Sequence, residues 1–198
     1  MCSVIGYSGV YDHNKVVALL LESQARGLHA FGTTYIHEGE AQTFKTHDLK
    51  ELASCLASIQ PSKFIAHFRY STSGDYRNHN NNQPLAQNGT YLAFNGVLHQ
   101  GTRQDMEKKF ECQIPAENDG HVLLANLHDH YFLRRPDITY AAVYLDANHD
   151  LWAVRNPLRP LHYASGSKQV VVASTKDILR RAGFEHSQPV TPWTPMRL

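Results

Sequence analysis

His67-Phe68-Arg69-Tyr70-Ser71-Thr72-Ser73-Gly74, resumed at Asn82-Gln83-Pro84-Leu85, is the stretch on which the reading of the chain turns. The apolar and aromatic residues from Lys63 to Tyr70 predict a strand, while Asn78, Asn80, Asn81, Asn82 and Gly89 discourage regular structure beyond it. A long polar loop at a strand end is a common seat of function in a compact domain. Arg69 stands at that junction with a planar, permanently charged fork that can bind a carboxylate through two parallel hydrogen bonds. Taken by itself, such an arginine is more often a surface or ion-pairing residue.

Outward from this segment the chain alternates strand and helix signals. The apolar and small-residue run Cys2 to Val10 predicts a strand that begins at the terminus and holds it in place. A helix is expected over Asn14 to Gln24, ended by Gly27 in the left-handed conformation. A strand is expected over Phe31 to His37. Asp48 with Glu51 fits a capping box for the next helix, in which Leu49, Leu52, Ala53 and Leu56 share a face. Beyond the polar loop, Tyr91 to Phe94 predicts a strand, and Thr102 to Phe110 and Asp119 to Phe132 predict helices. Ile138 to Leu145, Leu151 to Arg155, Tyr163 and Val170 to Ala173 then read as strands whose short connections favour antiparallel pairing. A last helix over Lys176 to Ala182 stops at Gly183, and the Pro-rich tail after it shows no periodicity. With neither a repeat nor a linker, residues 1 to 198 read as one domain.

Composition narrows the function by exclusion. Lys plus Arg number 19 and Asp plus Glu 18, so the near-neutral chain carries no strong electrostatic case for nucleic acid or an acidic membrane. Three cysteines, Cys2, Cys55 and Cys112, are a poor disulfide framework and suit a reducing cytoplasm. No stretch approaches the roughly 18 to 20 apolar residues of a membrane span, and the N-terminus lacks the pattern of a signal peptide. The 13 histidines raise the question of a metal, but His128 and His130, two apart on an expected helix, would not share a face. Neither a metal nor a cofactor is expected.

Cys2 is the candidate nucleophile. If Met1 is removed, one residue carries both a thiol and a free α-amine. The ordinary pKa values of about 8.5 and about 7.7 to 8.0 allow the amine to accept the thiol proton near neutrality. A small residue at position 2 has this meaning only in company. With Met1 retained, an inactive protein is expected.

That company is present. The segments around Arg69 and Gln83, together with Tyr91-Leu92-Ala93-Phe94-Asn95-Gly96-Val97-Leu98 and Asn118-Asp119-Gly120-His121-Val122-Leu123-Leu124, resemble the glutaminase domain of the class II glutamine amidotransferases in content, order and approximate spacing. Weaker echoes are Ala25-Arg26-Gly27, Arg159-Pro160-Leu161 and Ala173-Ser174. The resemblance implies an α+β fold of four αββα layers, with two mainly antiparallel sheets between helix layers. It implies hydrolysis of the glutamine side-chain amide, releasing glutamate and ammonia through a thioester on Cys2.

By the same resemblance, Asn95 and the Gly96 N–H form the oxyanion hole, Arg69 and Thr72 bind the substrate α-carboxylate, Asp119 binds the α-ammonium, and Arg26 shapes the pocket. Other readings stay open for each residue. Asn-Gly between apolar runs is also a strong type I′ turn signal, and Asp119 is equally suited to be an N-cap. Ser73, Tyr70, His121 and Thr175 depart from residues common in the family. The short chain leads us to expect a synthase on a separate chain as ammonia acceptor. The rivals are a stand-alone hydrolase of γ-glutamyl amides and a non-catalytic glutamine-binding module.

Overall fold

A computed structural model describes residues 1–71 and 74–198. Its strands are β1 (Ser3–Gly9), β2 (Ala30–His37), β3 (Glu40–Thr46), β4 (Lys63–Arg69), β5 (Leu85–Gln87), β6 (Thr90–Val97), β7 (Thr139–Leu145), β8 (Leu151–Arg155), β9 (His162–Ser165), β10 (Gln169–Ala173), β11 (Ser187–Pro189) and β12 (Met196–Arg197). Its helices are α1 (His13–Gln24), α2 (Leu49–Ile59), α3 (Arg103–Phe110), α4 (Gly120–Ala125), α5 (His130–Leu133) and α6 (Lys176–Arg181). One sheet runs in the order β11-β9-β10-β1-β4-β2-β3 and the other β12-β8-β7-β6-β5.

Period-two alternation along the strands sorts the apolar residues into three layers. Ile5, Tyr7, Phe64, Ala66 and Phe68 pack outward from the first sheet onto Val16, Leu19 and Leu20 of α1, Leu52 and Leu56 of α2, and Ile178 and Leu179 of α6. Leu92, Phe94, Tyr140, Ala142 and Tyr144 pack outward from the second sheet onto Met106, Val122, Leu123 and Phe132. Val4, Ile65, Ala93, Ala141, Val143 and Leu151 fill the space between the sheets. These three interfaces define four αββα layers, the α+β sandwich that the sequence resemblance implies.

Several local expectations are corrected. Helix α1 ends at Ala25 in right-handed geometry, so Gly27 is not its left-handed stop. A side chain at Gly27 would instead collide with the Phe68 carbonyl, so a close backbone approach is what requires glycine there. Asp48 caps α2 by accepting the Lys50 N–H at 2.8 Å, but Glu51 accepts the Thr46 hydroxyl and completes no capping box.

Strand β3, unseen in the sequence, pairs with β2 across a turn at Glu38 and Gly39, both with positive φ (52° and 82°). Asn95-Gly96 is not a turn but lies inside β6, paired with Ala141 and Tyr140. The hairpin turn is Asn88-Gly89, with φ of 50° and 75°, joining β5 to β6. The helix expected over Asp119 to Phe132 is broken into α4 and α5. His128 precedes α5, and Asp129 caps it by accepting the N–H of Tyr131 and Phe132. The tail supplies β11 and β12 as short edge strands.

Candidate active site

The alternation that fixes the layers also aims the polar side chains. His67 and Arg69 share the parity of Ile65, Cys2 that of Val4, and Asn95 that of Ala93, so all four start on strand faces turned toward the other sheet. Where the sheets end, Cys2, His67, Arg69, Tyr70, Gln83, Phe94, Gly96, Asn118 and Asp119 line a cavity of about 40 Å³. Residues far apart in sequence thus meet at one mouth.

Cys2 is held by both neighbouring strands. Ser3 pairs with Phe68 across β1 and β4, and Val4 exchanges hydrogen bonds with Ser174, whose Oγ accepts the Val4 N–H at 2.9 Å. The half-buried thiol of Cys2 accepts the Tyr70 N–H at 3.4 Å and faces the Tyr70 carbonyl at 3.6 Å. Burial pushes the thiol pKa up, against the downward pull of the Tyr70 contact, the N-terminal amine and Arg69.

Arg69 is gripped by the polar loop. Its guanidinium donates to the Asn81 carbonyl, to Asn82 Oδ1 at 2.6 Å and to the Gly74 carbonyl at 3.2 Å. The asparagines that discourage a strand here serve the loop as substitutes for a ladder. Asn82 Nδ2 donates to the Tyr76 carbonyl at 2.7 Å, Asn81 Nδ2 to the Asp75 carbonyl at 3.2 Å, and Asn118 Nδ2 to the Asn81 carbonyl at 2.8 Å. Thr72, expected beside Arg69, lies outside the described residues.

Asp119 stands at the N-cap position of α4 but makes no side-chain capping bond; the first helical N–H, that of Gly120, is accepted at 2.9 Å by Oδ1 of Asn118. The Asp119 carboxylate instead accepts the N–H of Leu98 at 2.7 Å and of His99 at 3.3 Å. Burial raises its pKa, opposed by these two N–H groups.

Asn95 is buried, and its Nδ2 has no hydrogen-bond partner among the described residues. An orphaned amide donor in the interior is costly unless a ligand meets it. Gly96 is also constrained, because a Cβ there would overlap the carbonyl of Thr139 on β7.

Arg26 is not a lining residue. Its Nε donates to the Cys2 carbonyl at 3.3 Å and its Nη2 approaches the Met1 sulfur at 4.0 Å, so it braces the terminal dipeptide.

Sequence reasoning assigned no role to His67, Gln83 or Asn118. Gln83 Oε1 accepts the Phe94 N–H at 2.6 Å and ties the loop to β6. His67 is fully buried, and burial first, then Arg69, lowers its pKa to about 3. All three lie in or beside the segments quoted for other residues, and their strand or loop position was the only available signal. Tyr70, whose backbone contacts the Cys2 thiol, stacks on His29, and His29 on Tyr76, each pair with ring centroids 5.0 Å apart. Among the described residues, no cluster of His, Cys, Asp or Glu is placed to hold a metal, and no helix is long and apolar enough to cross a membrane.

No family model matches the sequence, and neither does any curated protein. Solved structures do match. Glutamine phosphoribosylpyrophosphate amidotransferase from B. subtilis superposes with a TM-score of 0.75 at 21% identity, over 96% of this chain and 46% of that one. The allosteric regulatory enzyme of purine biosynthesis gives 0.74 at 23% identity, over 96% and 45%. A glutamine aminotransferase class-II domain protein from Silicibacter pomeroyi gives 0.58 at 15% identity, over 96% and 92%. The chain spans about half the length of the first two. At these identities the likeness is one of fold: the protein has the N-terminal-nucleophile hydrolase fold of the class II glutamine amidotransferases.

Proposed function

We propose that the protein hydrolyses the side-chain amide of glutamine through Cys2, once Met1 has been removed. The observation that carries this reading is the convergence of Cys2, Arg69, Gly96 and Asp119 on one cavity, with the unpartnered Asn95 amide on a facing strand. A cation and a carboxylate in the same mouth complement the two charges of a free α-amino acid. A thiol is available for attack on the amide, and two donors serve the oxygen that becomes negative.

In this mechanism the α-amine of Cys2 takes the thiol proton, and the thiolate bonds to the γ-carbonyl carbon. Negative charge develops on the carbonyl oxygen and is met by the Asn95 Nδ2 and the Gly96 N–H. The C–N bond breaks with its electron pair on nitrogen, which receives the proton from the α-ammonium and leaves as ammonia. Water then attacks the thioester, again deprotonated by the α-amine, giving glutamate and free thiol. Arg69, kept in place by Asn81 and Asn82, binds the α-carboxylate with Thr72, and Asp119 binds the α-ammonium. Arg26 contributes by fixing the Cys2 carbonyl. The reading treats residues 1 to 198 as one domain and needs no metal or cofactor.

A second element of the proposal is a synthase on a separate chain that uses the ammonia, since one solved neighbour is an amidotransferase and another an enzyme of purine biosynthesis. The test is glutamate release from glutamine by protein whose terminus is verified as Cys2, beside the Cys2→Ala variant. Turnover by the parent and none by the variant supports the reading. Co-purification with no partner, together with full turnover by the isolated chain, counts against the synthase.

A further inference from the structure

Two arginines converge on the atom that processing would remove. The Met1 sulfur lies 3.4 Å from Nη1 of Arg159 and 4.0 Å from Nη2 of Arg26. Arg26 reaches this place from the nucleophile's side, through its bond to the Cys2 carbonyl. Arg159 reaches it from the oxyanion side. Its Nε donates to Thr139 Oγ1 at 3.2 Å, and that hydroxyl accepts the N–H of Val97, next to Gly96, at 3.1 Å. Among the described residues neither guanidinium has a carboxylate within the 4.0 Å of an ion pair. Arg159 contributes to lowering the pKa of Arg26, after burial, as expected of two like charges held near each other. A thioether is a weak acceptor and a poor partner for two cations.

We propose that, in the processed protein, Arg26 and Arg159 form an anion subsite on the leaving-group side of Cys2, which takes γ-glutamyl amides whose departing amine carries a carboxylate, such as γ-glutamyl amino acids. The inference rests on the proposed N-terminal thiol chemistry. The α-amine must hand its proton to the departing nitrogen, so that nitrogen lies beside the α-amine, where Met1 was attached. A carboxylate a few bonds further on meets the space between the two guanidiniums. The balance of the step is that of glutamine. The thiolate bonds to the carbonyl carbon of the γ-glutamyl amide, and the C–N bond breaks with its electron pair on nitrogen. The amino acid leaves with the α-ammonium proton, and water resolves the thioester.

Two measurements on protein verified to begin at Cys2 test this subsite. The first is kcat/KM on γ-glutamylglycine against γ-glutamylmethylamide, a pair differing in the carboxylate. The second is the alkylation rate of Cys2 by iodoacetate against iodoacetamide, relative to the same ratio for free cysteine, which needs no turnover. Arg159→Gln is compared in both. We expect the parent to favour the charged member of each pair by about tenfold, and Arg159→Gln to abolish most of that preference. Equal ratios in parent and variant, in either measurement, would overturn the subsite. A carboxylate preference in alkylation that depends on Arg159, with no turnover of any glutamyl amide, would keep the subsite and defeat the catalytic reading instead.

Discussion

The Oδ2 of Asp119 accepts the backbone N–H of Leu98 at 2.7 Å, so the carboxylate at the start of α4 anchors the end of β6 rather than its own helix. One residue thereby links the end of β6 to the cavity that Cys2 and Arg69 line. Asp119→Ala leaves the Leu98 and His99 N–H groups without their acceptor and is expected to cost about 3 kcal/mol of stability. Asp119→Asn keeps an acceptor oxygen but removes the charge. It is expected to unfold near the parent's urea midpoint while kcat/KM for glutamine falls about a hundredfold. An Asp119→Asn protein with parental glutamine kinetics would remove Asp119 from the substrate site.

Asn95 offers the opposite separation of stability and activity. Its Nδ2 has no partner among the described residues, so Asn95→Ala breaks no hydrogen bond made by that nitrogen. We expect kcat to fall by about 10² to 10³ and the unfolding free energy to change by no more than about 1 kcal/mol. Steady-state kinetics and urea titration on one preparation check both halves.

Gly96→Ala tests the strand beneath. The new methyl would overlap the Thr139 carbonyl and lie 2.8 Å from the Tyr140 Cα, both backbone atoms that cannot swing aside. A loss of about 3 kcal/mol is expected as β6 and β7 are forced apart. A parental melting curve would contradict the close packing of these strands.

How much of this was legible in the sequence differs by residue. The layers were legible only through the resemblance, because β1, β4, β6 and β7 are largely buried on both faces and show no clear apolar–polar alternation; the Arg69, Asn95 and Asp119 segments, by contrast, stand out by content. Local reading failed where tertiary contacts decide between equivalent local structures. Asn88-Gly89 and Asn95-Gly96 are the same dipeptide, yet one is a turn and the other a strand, because β7 lies against the second. Strand β3 was missed since its polar, mostly exposed face has the character of an edge, stabilised chiefly by pairing with β2. Asp119 holds the N-cap position that its type suits, but its carboxylate is drawn to the Leu98 N–H and Asn118 accepts the Gly120 N–H, a division that only the tertiary contact decides. The approach of Arg159 to Met1 beside Arg26 is a juxtaposition across most of the chain that no local pattern carries.

Two buried histidines set an acid limit on the fold. Burial is the first cause lowering His67 to about 3 and His121 to about 4, against an ordinary 6.5. The unfolded chain therefore binds protons that the folded one does not. Their stability contribution is complete above pH 6.5 and is lost as pH falls from 6.5 toward those folded values. In that window each histidine lowers the unfolding free energy by about 1.4 kcal/mol per pH unit. Urea titrations at several pH values should show this slope, and His67→Asn should make it shallower. An unchanged slope in that variant would show that His67 takes up its proton without unfolding.

The most direct test of the central claim is intact mass with N-terminal sequencing of the purified protein, followed by glutamate release from glutamine with the Cys2→Ala variant alongside. The account predicts a chain beginning at Cys2, turnover by that chain, and none by the variant. Undiminished turnover in Cys2→Ala, or in protein that still carries Met1, would contradict it.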